Sequence, residues 1–159
     1  MHYYDFYHSP RGRMLLVADD TGLTGAYFTG QKYHPRIENG WVRDARHILL
    51  GQAKRELAEY FDGTRTSFTV KIAPRGTPFQ RAVWKAITGV AYGKTIAYAE
   101  LARRAGRPGS ARAAGGATGR NPISIIVPCH RIVGANGALT GYAGGLTKKR
   151  AFLALEERS

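Results

Sequence analysis

The chain holds a single cysteine, Cys129, in the run Val127-Pro128-Cys129-His130-Arg131. A thiol beside an imidazole and a guanidinium suits nucleophilic attack by sulfur, because the thiolate is the reactive form and nearby positive charge favours it. The same residue could be a small buried hydrophobe, the commoner fate of a lone cysteine. Two features favour chemistry. Pro128 ends regular strand pairing, so Cys129 falls at a turn, and the segment that follows is rich in glycine, as binding loops are. Neighbours along a strand point to opposite faces. Cys129 and His130 can therefore cooperate only if the backbone turns between them or a water bridges them. One cysteine excludes an intramolecular disulfide and leaves no cysteine set for zinc. His2, His8, His34 and His47 fall at no spacing that pairs with one another or with Cys129. No metal site is expected.

The elements that must position this run are legible from period and punctuation. His2–His8, Met14–Val17 and Leu23–Phe28 are short strand-like segments separated by turn residues, which suggests an antiparallel meander. Residues 32–40 are polar and contain Pro35, a loop. Apolar residues at 45, 48, 49, 53, 57 and 61 predict a helix over 43–61, and Ser67–Ile72 is a further β-like segment. Pro74-Arg75-Gly76 reads as a linker, dividing the chain into residues 1–73 and 77–159. The second part opens on Thr77-Pro78-Phe79-Gln80, a capping box with proline at the first helical position. A helix after Thr95, the Gly106-Arg107-Pro108-Gly109 break and a helix over Ser110–Gly119 make a helix-turn-helix pattern. Any αα-hairpin would give the same pattern. Ile123–Val127 predicts a buried strand. Asn136-Gly137 predicts a hairpin turn between Ile132-Val133 and Ala138-Leu139. Thr147–Glu157 predicts a last helix with Ala151, Phe152 and Leu155 inward.

Lys plus Arg number 24 and Asp plus Glu 11. Residues 1–76 hold 11 basic and 8 acidic side chains, net +3, and residues 77–159 hold 13 and 3, net +10. A polyanion is the natural partner of such a field, and nucleic acid is the usual one. Yet Ser110–Ala117 has no Asn, Gln or Lys to read base edges. Its small side chains suit close packing, on a narrow groove or on another helix. No apolar run approaches the roughly 20 residues of a membrane span, and the first residues lack the pattern of a signal peptide. Together with the cysteine count, this gives the expectation of a reducing, cytoplasmic setting.

Asn121-Pro122-Ile123-Ser124-Ile125-Ile126-Val127-Pro128-Cys129-His130-Arg131-Ile132-Val133-Gly134 resembles the active-site segment of the O6-alkylguanine-DNA alkyltransferases. Tyr92-Gly93-Lys94-Thr95 with Tyr98, followed by Gly106–Ala113, resembles their helix-turn-helix. Thr140–Leu146 resembles their substrate loop. The likeness covers residues 76–156 in order, while the first half matches in size and element order only. It implies an α+β fold. A small antiparallel sheet plus helix, ribonuclease H-like, would precede a mostly helical domain with a winged helix-turn-helix. The type would be the short, stand-alone prokaryotic one.

The resemblance also implies a chemistry. Cys129 would take the alkyl group from O6-alkylguanine, or from O4-methylthymine, after the base is flipped out of the duplex. His130 would accept the thiol proton through a water, and Glu156 would orient His130. Asn121 would brace the active-site turn. Tyr98 would help rotate the nucleotide at its phosphate, and Arg112 would fill the gap left in the stack. Ala113 and Gly115 would lie on the DNA. Tyr142 would line the base pocket, and the carbonyls of Cys129 and Ile132 and the amide of Ala143 would read the guanine. A thioether product and no second cysteine imply one transfer per molecule and no cofactor. The partner would be double-stranded DNA, entered from the minor groove with little sequence preference, by a monomer. Thr118 stands where many relatives have Asn, and Ser124 where some have Pro. A non-catalytic binder of alkylated DNA and a Cys-His hydrolase are the alternatives. The first lacks the nucleophile present here, and no local signature of an oxyanion hole supports the second.

Overall fold

The computed structural model describes residues 1–157. The fold is α+β, a small sheet followed by a mostly helical region. Strands β1 (Tyr3–Ser9), β2 (Gly12–Ala18) and β3 (Leu23–Phe28) form the antiparallel meander. From Met14 to Ala18, β2 is buried on both faces, which is why it reads as a continuous apolar run rather than an alternation. A two-residue strand β4 (Val42–Arg43) joins the edge of β1 in parallel, giving the order β3-β2-β1-β4.

That pairing removes residues 43–47 from the expected helix. Helix α1 runs Ile48–Phe61, capped by the His47 ring, which accepts from Leu49 N at 3.2 Å. Its buried stripe is Leu50, Ala53, Leu57 and Tyr60, while Ile48 is 84% exposed. Two adjacent apolar stripes compete on this helix, and period alone does not say which one faces the sheet. Ser67–Ile72 is not a strand beyond one bridge, Leu23 to Ile72. The backbone donors of Thr69 and Val70 go instead to the buried carboxylate of Glu56, at 2.9 and 3.1 Å.

The second half contains α2 (Pro78–Thr88), α3 (Tyr98–Arg104), α4 (Ala111–Gly119) and α5 (Leu146–Glu157). The Thr77–Gln80 capping box is formed in both directions. Gly106 and Gly109 sit at φ 87° and 85° between α3 and α4, a conformation that side chains with a Cβ rarely adopt. Helix α4 carries three glycines, each costly in a helix interior. It is held by packing on α2 and α3 and by the Trp84 indole, which donates to Ala117 O at 2.8 Å. The expected hairpin over 132–139 does not form. Instead β6 (Ile132–Val133) pairs in parallel with β5 (Ile96–Ala97). Gly134 N closes the loop onto Ala138 O at 2.8 Å without a ladder.

Ile123–Val127 is also not a strand. Ala26 N donates to Pro122 O and Ser124 N to Ala26 O, at 2.8 and 2.9 Å, and the chain then folds back with Ile125 at φ 71°. A β-branched residue there is strained. The run is apolar because sheet and helices enclose it on all sides, not because it is extended. Among the described residues no helix is long and apolar enough to cross a membrane.

Candidate active site

Residues 129–131 form one turn of 3-10 helix, so the backbone does turn between Cys129 and His130. Asn121 fixes the approach to that turn. Its side-chain amide donates to Val127 O at 2.8 Å and its oxygen accepts from Ile123 N at 3.0 Å. Cys129 is buried. Burial pushes its thiol up to about 11, and the Asn121 amide and the Lys149 charge bring it only part of the way back. This corrects the expectation that flanking positive charge favours the thiolate. Arg131 is turned away from the sulfur, its guanidinium spent on Glu156 and on Val90 O. The resting group is a thiol, and attack requires a base.

His130, next in the chain, is fully buried. Its Nε2 is 2.6 Å from Glu156 Oε2. Burial holds the imidazole below its ordinary range despite the carboxylate, so it is neutral at pH 7. Glu156 is a carboxylate throughout, lowered to about 2 by His130 and Arg131 against the opposing effect of burial. A neutral imidazole facing a carboxylate through Nε2 donates there, which leaves Nδ1 as the acceptor. Nδ1 is buried and has no hydrogen-bond partner in the protein.

Helix α5 supplies more than its pattern suggested. Its buried positions are Lys149, Phe152 and Glu156, not Ala151 and Leu155, which are half-buried. Charged residues take inward positions because each has hydrogen-bond partners there. The Lys149 ammonium donates to Ile132 O at 2.6 Å and Thr140 O at 2.7 Å. Lys149 and Tyr60 went unremarked in the sequence, and Arg131, read there as a charge on the thiol, serves Glu156 instead. The available signal was a lysine and a glutamate seven residues apart on the face that carries Phe152.

Tyr142 packs its ring on Phe152, 6.0 Å between centroids, with its hydroxyl buried and its ionisation suppressed by that burial and by Cys129. The Ala143 carbonyl accepts from Lys32 N at 3.2 Å, tying the 140–146 loop to the first half of the chain. The carbonyls of Cys129 and Ile132 already accept one bond each, from Ile132 N and Lys149, which leaves one lone pair on each.

Tyr98 begins α3, its hydroxyl near Thr140. On α4, Arg112, Ala113 and Gly116 are exposed. Gly115 lies on the flank, where an added Cβ would meet the Tyr98 ring at 3.6 Å. Thr118 is buried and donates to Ala114 O at 2.7 Å, inside its own helix. Among the described residues no group of three His, Cys, Asp or Glu side chains could hold a metal ion.

Two family profiles match the chain. One is the ribonuclease-like domain of 6-O-methylguanine DNA methyltransferase, over residues 2–74, and the other its DNA-binding domain, over 78–158. The chain is 46% identical over 154 residues to the methylated-DNA–protein-cysteine methyltransferase of Methanosarcina acetivorans, covering 97% of each chain. It is 45% identical over 150 residues to that of Mycolicibacterium paratuberculosis, covering 94% of this chain and 89% of the relative. The fold superposes on Mycobacterium tuberculosis OGT in complex with DNA with a TM-score of 0.90 at 43% identity, over 98% of this chain and 93% of that one.

Proposed function

The chain belongs to the 6-O-methylguanine DNA methyltransferases, which repair DNA by alkyl transfer to a cysteine, and from that premise we propose that Cys129 is the acceptor. The observation that carries this reading is the buried line Glu156–His130 next to a thiol that burial keeps protonated. His130 Nδ1 takes the thiol proton through a water. The sulfur then attacks the alkyl carbon, the carbon–O6 bond breaks, and guanine leaves with the electrons of that bond. The imidazolium formed is neutralised by the Glu156 carboxylate. The product is a thioether, which water does not readily cleave, so each molecule reacts once and needs no cofactor.

The remaining roles follow the same reading. Residues 1–73 and 77–159 act as two domains, the second carrying the DNA. Asn121 braces the active-site turn. Tyr142, the Ala143 amide and the free lone pairs on the Cys129 and Ile132 carbonyls hold the guanine. Helix α4 enters the minor groove with Ala113 and Gly115 close to the backbone, and it reads little sequence because it offers no Asn, Gln or Lys to base edges and its one long side chain, Arg112, goes into the stack. Arg112 fills the space of the flipped base, and Tyr98 acts at the phosphate. The protein works as a monomer in the cytoplasm.

The test is intact mass after incubation with a duplex containing O6-methylguanine. One methyl mass should appear, mapped to Cys129, and a second addition of substrate should yield nothing. Cys129→Ser should bind the duplex and transfer nothing. Turnover, or an adduct at another residue, would overturn the assignment.

A further inference from the structure

We propose that Tyr60, a residue of the first half of the chain, is a positioning residue for the transfer, acting through its hydroxyl on the carboxylate that holds His130. The inference rests on the reading of Cys129, His130 and Glu156 given above.

Tyr60 is fully buried on α1. Its hydroxyl donates to Glu156 Oε2 at 2.8 Å, across 96 residues of chain. That oxygen is the one His130 Nε2 meets at 2.6 Å, and Arg131 Nη2 also reaches it, at 3.2 Å. The other oxygen takes Arg131 Nε and Gly93 N, at 2.8 and 3.2 Å. A carboxylate offers about four lone-pair sites, and this one has five donors. The phenol is therefore not needed to satisfy Glu156, and it competes with His130 for Oε2.

Nor does packing call for the hydroxyl. The Tyr60 ring lies among Phe61, Phe68, Phe152 and Tyr92, with centroids 5.5 to 6.4 Å away. A phenylalanine would fill the same space. What the hydroxyl adds is a donor that never ionises, since burial and Glu156 both hold its proton in place. It draws charge from Oε2 and so weakens that oxygen's hold on an imidazolium. The other charged or titratable groups facing His130 are Arg131 on its own turn, Lys149 and Glu156 on α5, and Cys129 beside it. Tyr92 and Tyr142 complete the aromatic wall. Of these, only Tyr60 is supplied by the first half of the chain. Its effect is to keep His130 a free base at lower pH.

The experiment is the single-turnover rate of methyl transfer from an O6-methylguanine duplex between pH 5 and 9, for the wild type and Tyr60→Phe. The phenylalanine variant should show its acid limb moved up by about one pH unit, the size expected for losing one hydrogen bond to a charged acceptor. The two rates should converge above about pH 8, with duplex affinity unchanged. If Tyr60→Phe fails to fold, 3-fluorotyrosine at position 60 keeps the ring and strengthens the donor, and must move the limb the other way. An unshifted limb, or a loss of equal size at every pH, overturns the proposal and leaves Tyr60 a core residue. A wild type that gains no methyl on Cys129 overturns the underlying assignment instead.

Discussion

Around Glu156 the protein spends its polar groups on one another, whereas along the outer face of α4 it withholds them. The carboxylate gathers donors from α1, from the 3-10 turn and from the backbone at Gly93. On α4 the exposed positions are two small residues and Arg112, whose guanidinium joins no ion pair among the described residues. The difference matches the roles proposed for the two regions. Moving a proton off a thiol at about 11 needs groups locked in place before substrate arrives. Lying against a duplex and replacing an extruded base needs a surface with nothing in the way and one side chain free to move. If this contrast is right, damage to the buried region should slow transfer from any substrate. Damage to α4 should slow it only when a base must first leave the stack.

The largest effect is expected at the carboxylate. Glu156→Gln leaves the Arg131 guanidinium buried without its counter-charge and gives His130 a neutral amide oxygen in place of the carboxylate, with nothing to balance an imidazolium. Breaking a buried pair on one side costs about 3–5 kcal/mol, and loss of an oriented base costs roughly a hundredfold or more in rate. Denaturant titration and single-turnover rates check this. The rate loss should be the same for duplex and for free O6-benzylguanine, and a loss confined to duplex would dissolve the contrast.

Arg112→Ala is the reciprocal case. Unstacking costs a few kcal/mol, so without the plug repair of duplex should slow by roughly ten- to a hundredfold. The reaction with free base should barely change. Arg112→Lys should fall between, keeping charge but losing the planar group. Equal losses on both substrates would make Arg112 a structural residue.

Acid sharpens the comparison further. His130 and Glu156 both have folded-state values below their ordinary ones, so the unfolded chain binds protons that the folded chain refuses. Stability present at neutral pH should then fall with pH. The fall starts below about 6.5 for the imidazole and continues from about 4.3 toward 2 for the carboxylate. Urea unfolding at pH 7, 5.5 and 4 should show the decline, and a flat profile would contradict the buried network. The smallest effect is expected at Thr118. Its hydroxyl serves only Ala114 O within α4, so Thr118→Val should change stability by no more than about 1 kcal/mol and leave both transfer rates alone.

How much of this was legible in sequence depended on whether the signal was local. The α2 capping box, the glycine-marked turn before α4 and the turn at Pro128 were readable because neighbouring residues determine them. Val42–Arg43 was not, since a two-residue strand exists only because the β1 edge is open to it. Ile123–Val127 misled because burial on all sides makes a folded-back turn as apolar as a strand. Tyr60 was hidden for the opposite reason. It touches the site through a partner 96 residues along the chain, which neither spacing nor composition records, whereas Lys149 left only its seven-residue spacing from Glu156. The thiol's raised value was misjudged from its neighbours in sequence, because Arg131 points elsewhere and burial outweighs the charges nearby.

Lys149, Phe152 and Glu156 all come from α5, and Cys129 precedes them in the chain. During synthesis the cysteine therefore emerges before the carboxylate that His130 meets. Until α5 docks, His130 has no carboxylate behind it, and the carbonyls of Ile132 and Thr140 lack the ammonium that joins them. The order of the chain thus makes the docking of α5 the step that completes the Glu156–His130 pair and joins the Ile132 and Thr140 carbonyls.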